Sequence, residues 1–302
     1  MDTFFHRLEE RARATGSLLC IGLDPHPDRL SEFSAGEARD YCVRLIRATA
    51  DLALAFKPNI ALFESLGGPG WDALKEVIAA VPDGIPVILD AKRGETSINA
   101  EIQAETAFRS LGAHAVTLNP YLGYDSIYPF IKDGACGIFL MCKTNNPGTI
   151  DLQELPLSGE GQPLHLYEKV ALLAQEWNTQ DNIGLLVSAT APEALARVRQ
   201  LVPDLWILAP GVGMHGNELS AAIQSGLRAD GLGLMIAVSR ALAGTADPRQ
   251  VLLNLHRQIR ELLAAAVDQS APQVETTPFP AALAADLLQA GCVRFGQFTL
   301  KS

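Results

Sequence analysis

Short unbroken apolar runs alternate with longer amphipathic stretches along this chain. The runs fall at 18–23, 54–56, 86–89, 113–118, 137–141, 183–187, 205–209 and 231–236. Runs of this length without apolar/polar alternation suit parallel strands buried on both faces. Between and before them lie helical patterns at 4–14, 38–52, 71–80, 100–111, 164–176, 192–201 and 218–225. Eight strand units with helical crossovers predict an α/β fold closed as a (β/α)8 TIM barrel. Such a barrel takes about 250 residues, so 302 residues hold one barrel and a tail.

In a barrel of this kind the chemistry gathers where strands end and βα loops begin. The polar residues after each run therefore matter most. Asp24 follows the first run and Lys57 the second. The third leads into Asp90-Ala91-Lys92-Arg93-Gly94-Glu95. Asp90 and Lys92 are two apart, which on a regular pleat turns both to one face, here the barrel mouth. Lys57 ends the neighbouring strand. Opposite charges about 4 Å apart attract by roughly 4 kcal/mol at an effective dielectric near 20. A Lys–Asp–Lys cluster thus holds an ammonium charged and ready to donate a proton. The plainer alternative is a surface salt bridge worth about 0–1 kcal/mol. Position on the rim favours the chemical reading. Pro210-Gly211-Val212-Gly213 exposes backbone amides, and Arg240 follows the next strand. Barrels bind phosphate at this place.

The net charge of −10 argues against a nucleic-acid partner, which needs clustered cations. It leaves room for a local cationic pocket for one phosphate. No apolar run reaches the roughly 18–20 residues needed to span a bilayer, and residues 1–15 lack the apolar core of a signal peptide. The five cysteines show no CxxC spacing, and Cys20, Cys136 and Cys142, which sit in strand-like runs, read as reduced core thiols. The expectation is a cytoplasmic protein with no membrane partner.

The segments LCIGLDPHP (19–27), FKPNIALFES (56–65), LDAKRGE (89–95), TLNPYLGYDS (117–126), TNNPG (144–148), SATAPE (188–193), APGVG (209–213) and GLMIAVSRAL (233–242) resemble orotidine 5′-monophosphate decarboxylase, specifically its longer bacterial subgroup. The resemblance covers about residues 1–265 in order. It implies a carboxy-lyase of pyrimidine (UMP) biosynthesis with no cofactor and no metal, acting on orotidine 5′-monophosphate. It further implies Lys92 as proton donor to C6, Asp90 facing the substrate carboxylate, and Lys57 tying the ribose to the charged network. Asp24 is implied as acceptor for a ribose hydroxyl. Asn119, Thr144 and Asn145 are implied as further substrate contacts. Pro210, Gly211, Gly213, His215, Gly216 and Arg240 line the implied grip on base and 5′-phosphate. A homodimer with shared active sites is implied too, the second acid of the motif reaching the neighbouring site.

Four positions depart from the family pattern. Position 95 is Glu where the family has Asp, and position 99 is Asn where a Thr is usual. Asn145 replaces a Ser that contacts the pyrimidine, and His215 replaces a Gln. Glu95 adds a methylene and displaces its carboxylate by about 1 Å, an error that can cost about a hundredfold in rate. Two alternatives follow. One is a catalytically weakened nucleotide-binding or assembly module. The other is a metal-dependent sugar-phosphate enzyme of the same barrel superfamily.

The tail carries a separate signal. The expected barrel covers 1–266, and 267–280, with three prolines, reads as a linker. Residues 281–302 resemble the start of orotate phosphoribosyltransferase. The expectation is the decarboxylase part of a bifunctional UMP synthase, with the transferase-like domain truncated.

Overall fold

The computed structural model describes residues 3–157, 163–213, 216–242, 245 and 247–270.

 Eight parallel strands run β1 (Leu19–Leu23), β2 (Ala55–Pro58), β3 (Ile88–Arg93), β4 (Ala115–Leu118), β5 (Gly137–Lys143), β6 (Ile183–Val187), β7 (Ile207–Pro210) and β8 (Leu234–Val238). Their order across the sheet is β2-β1-β8-β7-β6-β5-β4-β3. Bridges Phe56↔Val87 and Asn59↔Asp90 join the two ends, so the sheet closes on itself as the apolar runs predict. Every residue of β1, β6 and β8 is buried, which explains runs without alternation.

The longer helices are α1 (Phe4–Thr15), α2 (Ala35–Thr49), α3 (Gly67–Ala79), α4 (Ser97–Glu105), α5 (Tyr124–Ile131), α6 (Leu166–Trp177), α7 (Pro192–Leu201), α8 (Gly216–Gly226) and α9 (Pro248–Ser270), and short helical turns lie at Ile60–Glu64 and Thr149–Leu152. Thr3 caps α1 by accepting the His6 N–H, and Gly16 ends it at φ 62. Ser34 caps α2 in the same way through Glu37 N–H. Three differences from the sequence pattern stand out. The last strand begins at Leu234 rather than 231, because Gly231 and Gly233 take left-handed backbone (φ 79 and 77) and form a turn first. The pattern at 100–111 becomes α4 plus a π-helical turn, Thr106–Ser110. Helices α5 and α9 were not anticipated. Helix α5 is eight residues long with Pro129 inside it, so it lacks a clear periodic signature.

The barrel unit closes at Val267, and a second unit spans Asp268–Ser302. Helix α9 runs to Ser270, past the start of the expected linker at 267. The remainder of that linker and the transferase-like segment at 281–302 lie outside the described residues. No described helix is long and apolar enough to cross a membrane.

Helix α1 covers the N-terminal end of the barrel. Phe4, Phe5, Leu8 and Ala12 are its buried face. Phe5 lies edge-on to Phe139 of β5 and parallel to Trp206, with centroids 5.6 and 6.3 Å apart. Gly137 makes this possible, since a Cβ there would sit 2.3 Å from the Phe4 ring. The core is thus sealed at one end, and the polar rim is left at the other.

Candidate active site

Between Leu89 and Arg93 strand β3 takes four steps while β4 takes two, from Val116 to Leu118. The ladder therefore bulges, and Lys92 adopts a left-handed backbone, φ 47. That conformation is costly for a lysine. Thr117 of β4 holds it in place. Its hydroxyl oxygen accepts the N–H groups of Ala91 and Lys92 at 3.0 and 2.9 Å and donates to Asp90 Oδ1 at 3.0 Å. The expected pairing of Asp90 with Lys92 is present, but a bulge produces it where regular strand alternation was expected.

Asp90 sits between two ammonium groups. Lys57 Nζ lies 2.7 Å from Oδ2, and Lys92 Nζ lies 2.5 Å from Oδ1. The side chains of Lys57 and Asp90 are 8% and 9% exposed, whereas that of Lys92 is 46% exposed. Two members are locked inside, and the third faces the mouth. Burial alone would raise the Asp90 carboxyl, yet Lys57 and Lys92 hold it well below the usual carboxylate range. Burial would likewise lower Lys57, yet Asp90 and then Asp24 hold its ammonium above the ordinary lysine value. Both groups stay charged at neutral pH. A buried ion pair with hydrogen bonds on every side keeps its charge without gaining much stability. Its use is a fixed local field.

The other sequence-predicted residues that are described follow the C-terminal ends of the strands. Asp24 follows β1, is buried, and accepts the Ser239 hydroxyl at Oδ2. Glu95 turns back on its own loop, its Oε1 accepting Thr96 N–H at 2.8 Å. Asn99 is exposed on α4. Asn119 Oδ1 accepts Tyr121 N–H at 3.1 Å. Thr144 is gripped by Gln153, which accepts its N–H and donates to its hydroxyl, both at 2.8 Å. Asn145 reaches toward β7, where a Cβ on Gly211 would stand 3.5 Å from its Nδ2. Pro210 ends β7.

The expected phosphate grip is only partly open. Gly213 N–H donates to the Glu218 carboxylate at 2.8 Å, so this amide already faces an acid of the chain itself. Gly216 begins α8. Arg240 is exposed and makes no ion pair among the described residues. His215 lies outside the described residues. A 710 Å³ cavity opens beside Lys92, lined among others by Asn119, Met141, Asn146, Gln153 and Trp177.

Sequence reasoning missed Thr117, Ser239, Gln153 and Glu218. Thr117 left a readable trace: a hydroxyl inside a strand otherwise wholly apolar must find a partner. Gln153 and Glu218 left none, because each acts through a loop whose path the sequence does not give.

Residues 17–255 match the model of the family described as "Orotidine 5'-phosphate decarboxylase / HUMPS family". Orotidine 5'-phosphate decarboxylase from Roseiflexus castenholzii is 44% identical over 243 residues, 79% of this chain and 88% of that protein. Among solved structures, Leishmania donovani OMP decarboxylase superposes with a TM-score of 0.79 at 48% identity, covering 87% of this chain and 99% of that one. Leishmania donovani UMP synthase superposes with a TM-score of 0.81 at 47% identity, covering 99% of this chain and 62% of that one.

Proposed function

The chain belongs to the orotidine 5′-phosphate decarboxylase / HUMPS family, and from that premise we propose how it carries out the decarboxylation of orotidine 5′-phosphate in pyrimidine synthesis. The observation that carries the reading is the Lys57–Asp90–Lys92 array at the barrel mouth. In this reading the C6–carboxylate bond breaks, CO2 leaves, and the bonding electron pair stays on C6. The Lys92 ammonium, fixed by Asp90, faces that developing charge and gives C6 a proton. Solvent then reprotonates the amine. Only interactions stronger in the transition state than in the ground state speed the step, and a prearranged ammonium is one of them.

Lys57 ties the ribose end to the array, and Asp24 accepts a ribose hydroxyl. Arg240 takes the 5′-phosphate, helped by the amides of Gly211, Gly213 and Gly216 once Glu218 gives way. Pro210 shapes that loop. Asn119, Thr144 and Asn145 contact the base side. Binding energy from the remote phosphate holds the reacting end in register. The test is turnover of orotidine 5′-phosphate to uridine 5′-monophosphate. Binding of the product without release of CO2 from the substrate would instead favour a binding module.

The second part of the proposal is a homodimer with shared sites. Ile98 and Tyr121 are 76% and 75% exposed, and Ile98 lines one groove with Tyr124 and Tyr128. This apolar surface adjoins the loop that carries Glu95, and exposed apolar patches mark interfaces. Glu95 then serves a neighbouring site. Mixing Lys92→Ala and Glu95→Ala subunits tests it: activity that neither parent shows supports sharing, and none argues against it.

A third part concerns the tail. Residues 281–302 begin a transferase-like domain of a bifunctional UMP synthase. The support is the likeness to Leishmania donovani UMP synthase over 99% of this chain and 62% of that one.

A further inference from the structure

Asp24 holds one satisfied and one unsatisfied oxygen. Oδ2 accepts the Ser239 hydroxyl. Oδ1 is buried and meets no donor among the described residues. A buried acceptor without a donor is costly, so the fold retains Oδ1 in that state for something else. Ser239 follows β8, and the pairing Ile21↔Val238 sets it alongside Gly22 of β1. A Cβ on Gly22 would lie 2.6 Å from Ser239 Cβ and 2.8 Å from Asp24 Oδ2. The bare glycine is what lets the hydroxyl reach across. The Ser239 carbonyl accepts Leu242 N–H at 2.8 Å, which closes the turn bearing Arg240.

We propose that Ser239 is a positioning residue: it pins one oxygen of Asp24 so that the other is presented to a ribose hydroxyl of the nucleotide. Because Arg240 is its chain neighbour, the same residue joins the ribose end of the site to the phosphate end. The inference rests on the reading of Asp24 as a ribose acceptor given above. A serine hydroxyl donates one hydrogen bond and occupies one oxygen, so Oδ1 remains open to a second donor.

Calorimetric titration of the full chain with uridine 5′-monophosphate and its 2′-deoxy and 3′-deoxy analogues tests this. Ser239→Ala should weaken the ribonucleotide about tenfold, the order of a hydrogen bond to a charged group. For the analogue lacking the hydroxyl that Asp24 accepts, the same change should cost less than about twofold. In an Asp24→Ala background the Ser239→Ala loss should also vanish. Equal losses for all three nucleotides, or a full additional loss on top of Asp24→Ala, overturn the proposal. So does an unchanged affinity in Ser239→Ala when Asp24→Ala weakens binding. If Asp24→Ala itself leaves the ribonucleotide affinity unchanged, the ribose reading of Asp24 falls, and the role of Ser239 with it.

Discussion

The two ends of the barrel both hold cations away from water, and they do so in opposite ways. At the N-terminal end Arg199 of α7 donates to five backbone carbonyls, those of Val202, Pro203, Leu205, Gly226 and Gly233, at 2.7–3.3 Å. Beside it Arg228 pairs with Glu9 at 2.6 Å and lies over Trp206 at 5.8 Å. Burial, with Arg228 nearby, pulls Arg199 down to about 10, still a cation at neutral pH. At the rim two lysines share one carboxylate, and one of them keeps an open face. Fixed neutral dipoles make a cation into a fastener. A shared acid leaves its cations as a field that a substrate can meet.

Breaking the rim should have the largest effect. Asp90→Ala leaves the Lys57 ammonium buried without its partner, so we expect a loss of about 3–5 kcal/mol of stability together with near-complete loss of turnover. Urea unfolding and CO2 release measure the two. Unchanged stability would show that the array is not buried as described. Arg199→Met should cost about 2–4 kcal/mol by stranding carbonyls, with kcat of the folded protein unchanged. A drop in kcat at constant folded fraction would erase the contrast between the ends.

Thr117→Val sharpens it further. The bulge loses the acceptor for two N–H groups, and Lys92 shifts. We expect kcat to fall about 10–100-fold, uridine 5′-monophosphate affinity to hold, and Thr117→Ser to restore most of the rate.

The smallest effect is on pH. The Asp90 carboxyl is held below its ordinary 3.8, so its contribution to stability is whole above that value and fades as pH falls beneath it. Lys57 is held above 10.5, so its contribution is whole below that value and fades only as pH rises through its higher one. Stability from the array should therefore be flat across neutral pH. Lys57→Met removes the stronger partner of Asp90, and the acid limb of the stability profile should move upward by about one pH unit. An unmoved limb would mean that Lys92 alone holds the carboxylate.

The barrel was legible because burial on both faces writes continuous apolar runs, and all eight reappear as strands within a few residues of their expected places. The tips of Lys57, Asp90 and Lys92 were legible because the rim follows each run. The bulge was not, since nothing in Asp90-Ala91-Lys92 signals a left-handed lysine; its cause is Thr117, 25 residues later. Arg199 was equally hidden. On an amphipathic helix it reads as a solvated charge, and only the folded chain brings five carbonyls around it. The occupied amide of Gly213 shows the same limit, because the pattern of glycines exposes a donor without saying which acid of the chain already faces it.

The most direct test of the array is to measure kcat and product affinity side by side in Lys92→Ala. The account predicts that kcat falls by about 10⁴-fold or more, the combined reach of proton donation and electrostatic stabilisation, while uridine 5′-monophosphate affinity changes by less than about threefold. Turnover that survives the loss of Lys92, or affinity that collapses in step with it, would contradict the account.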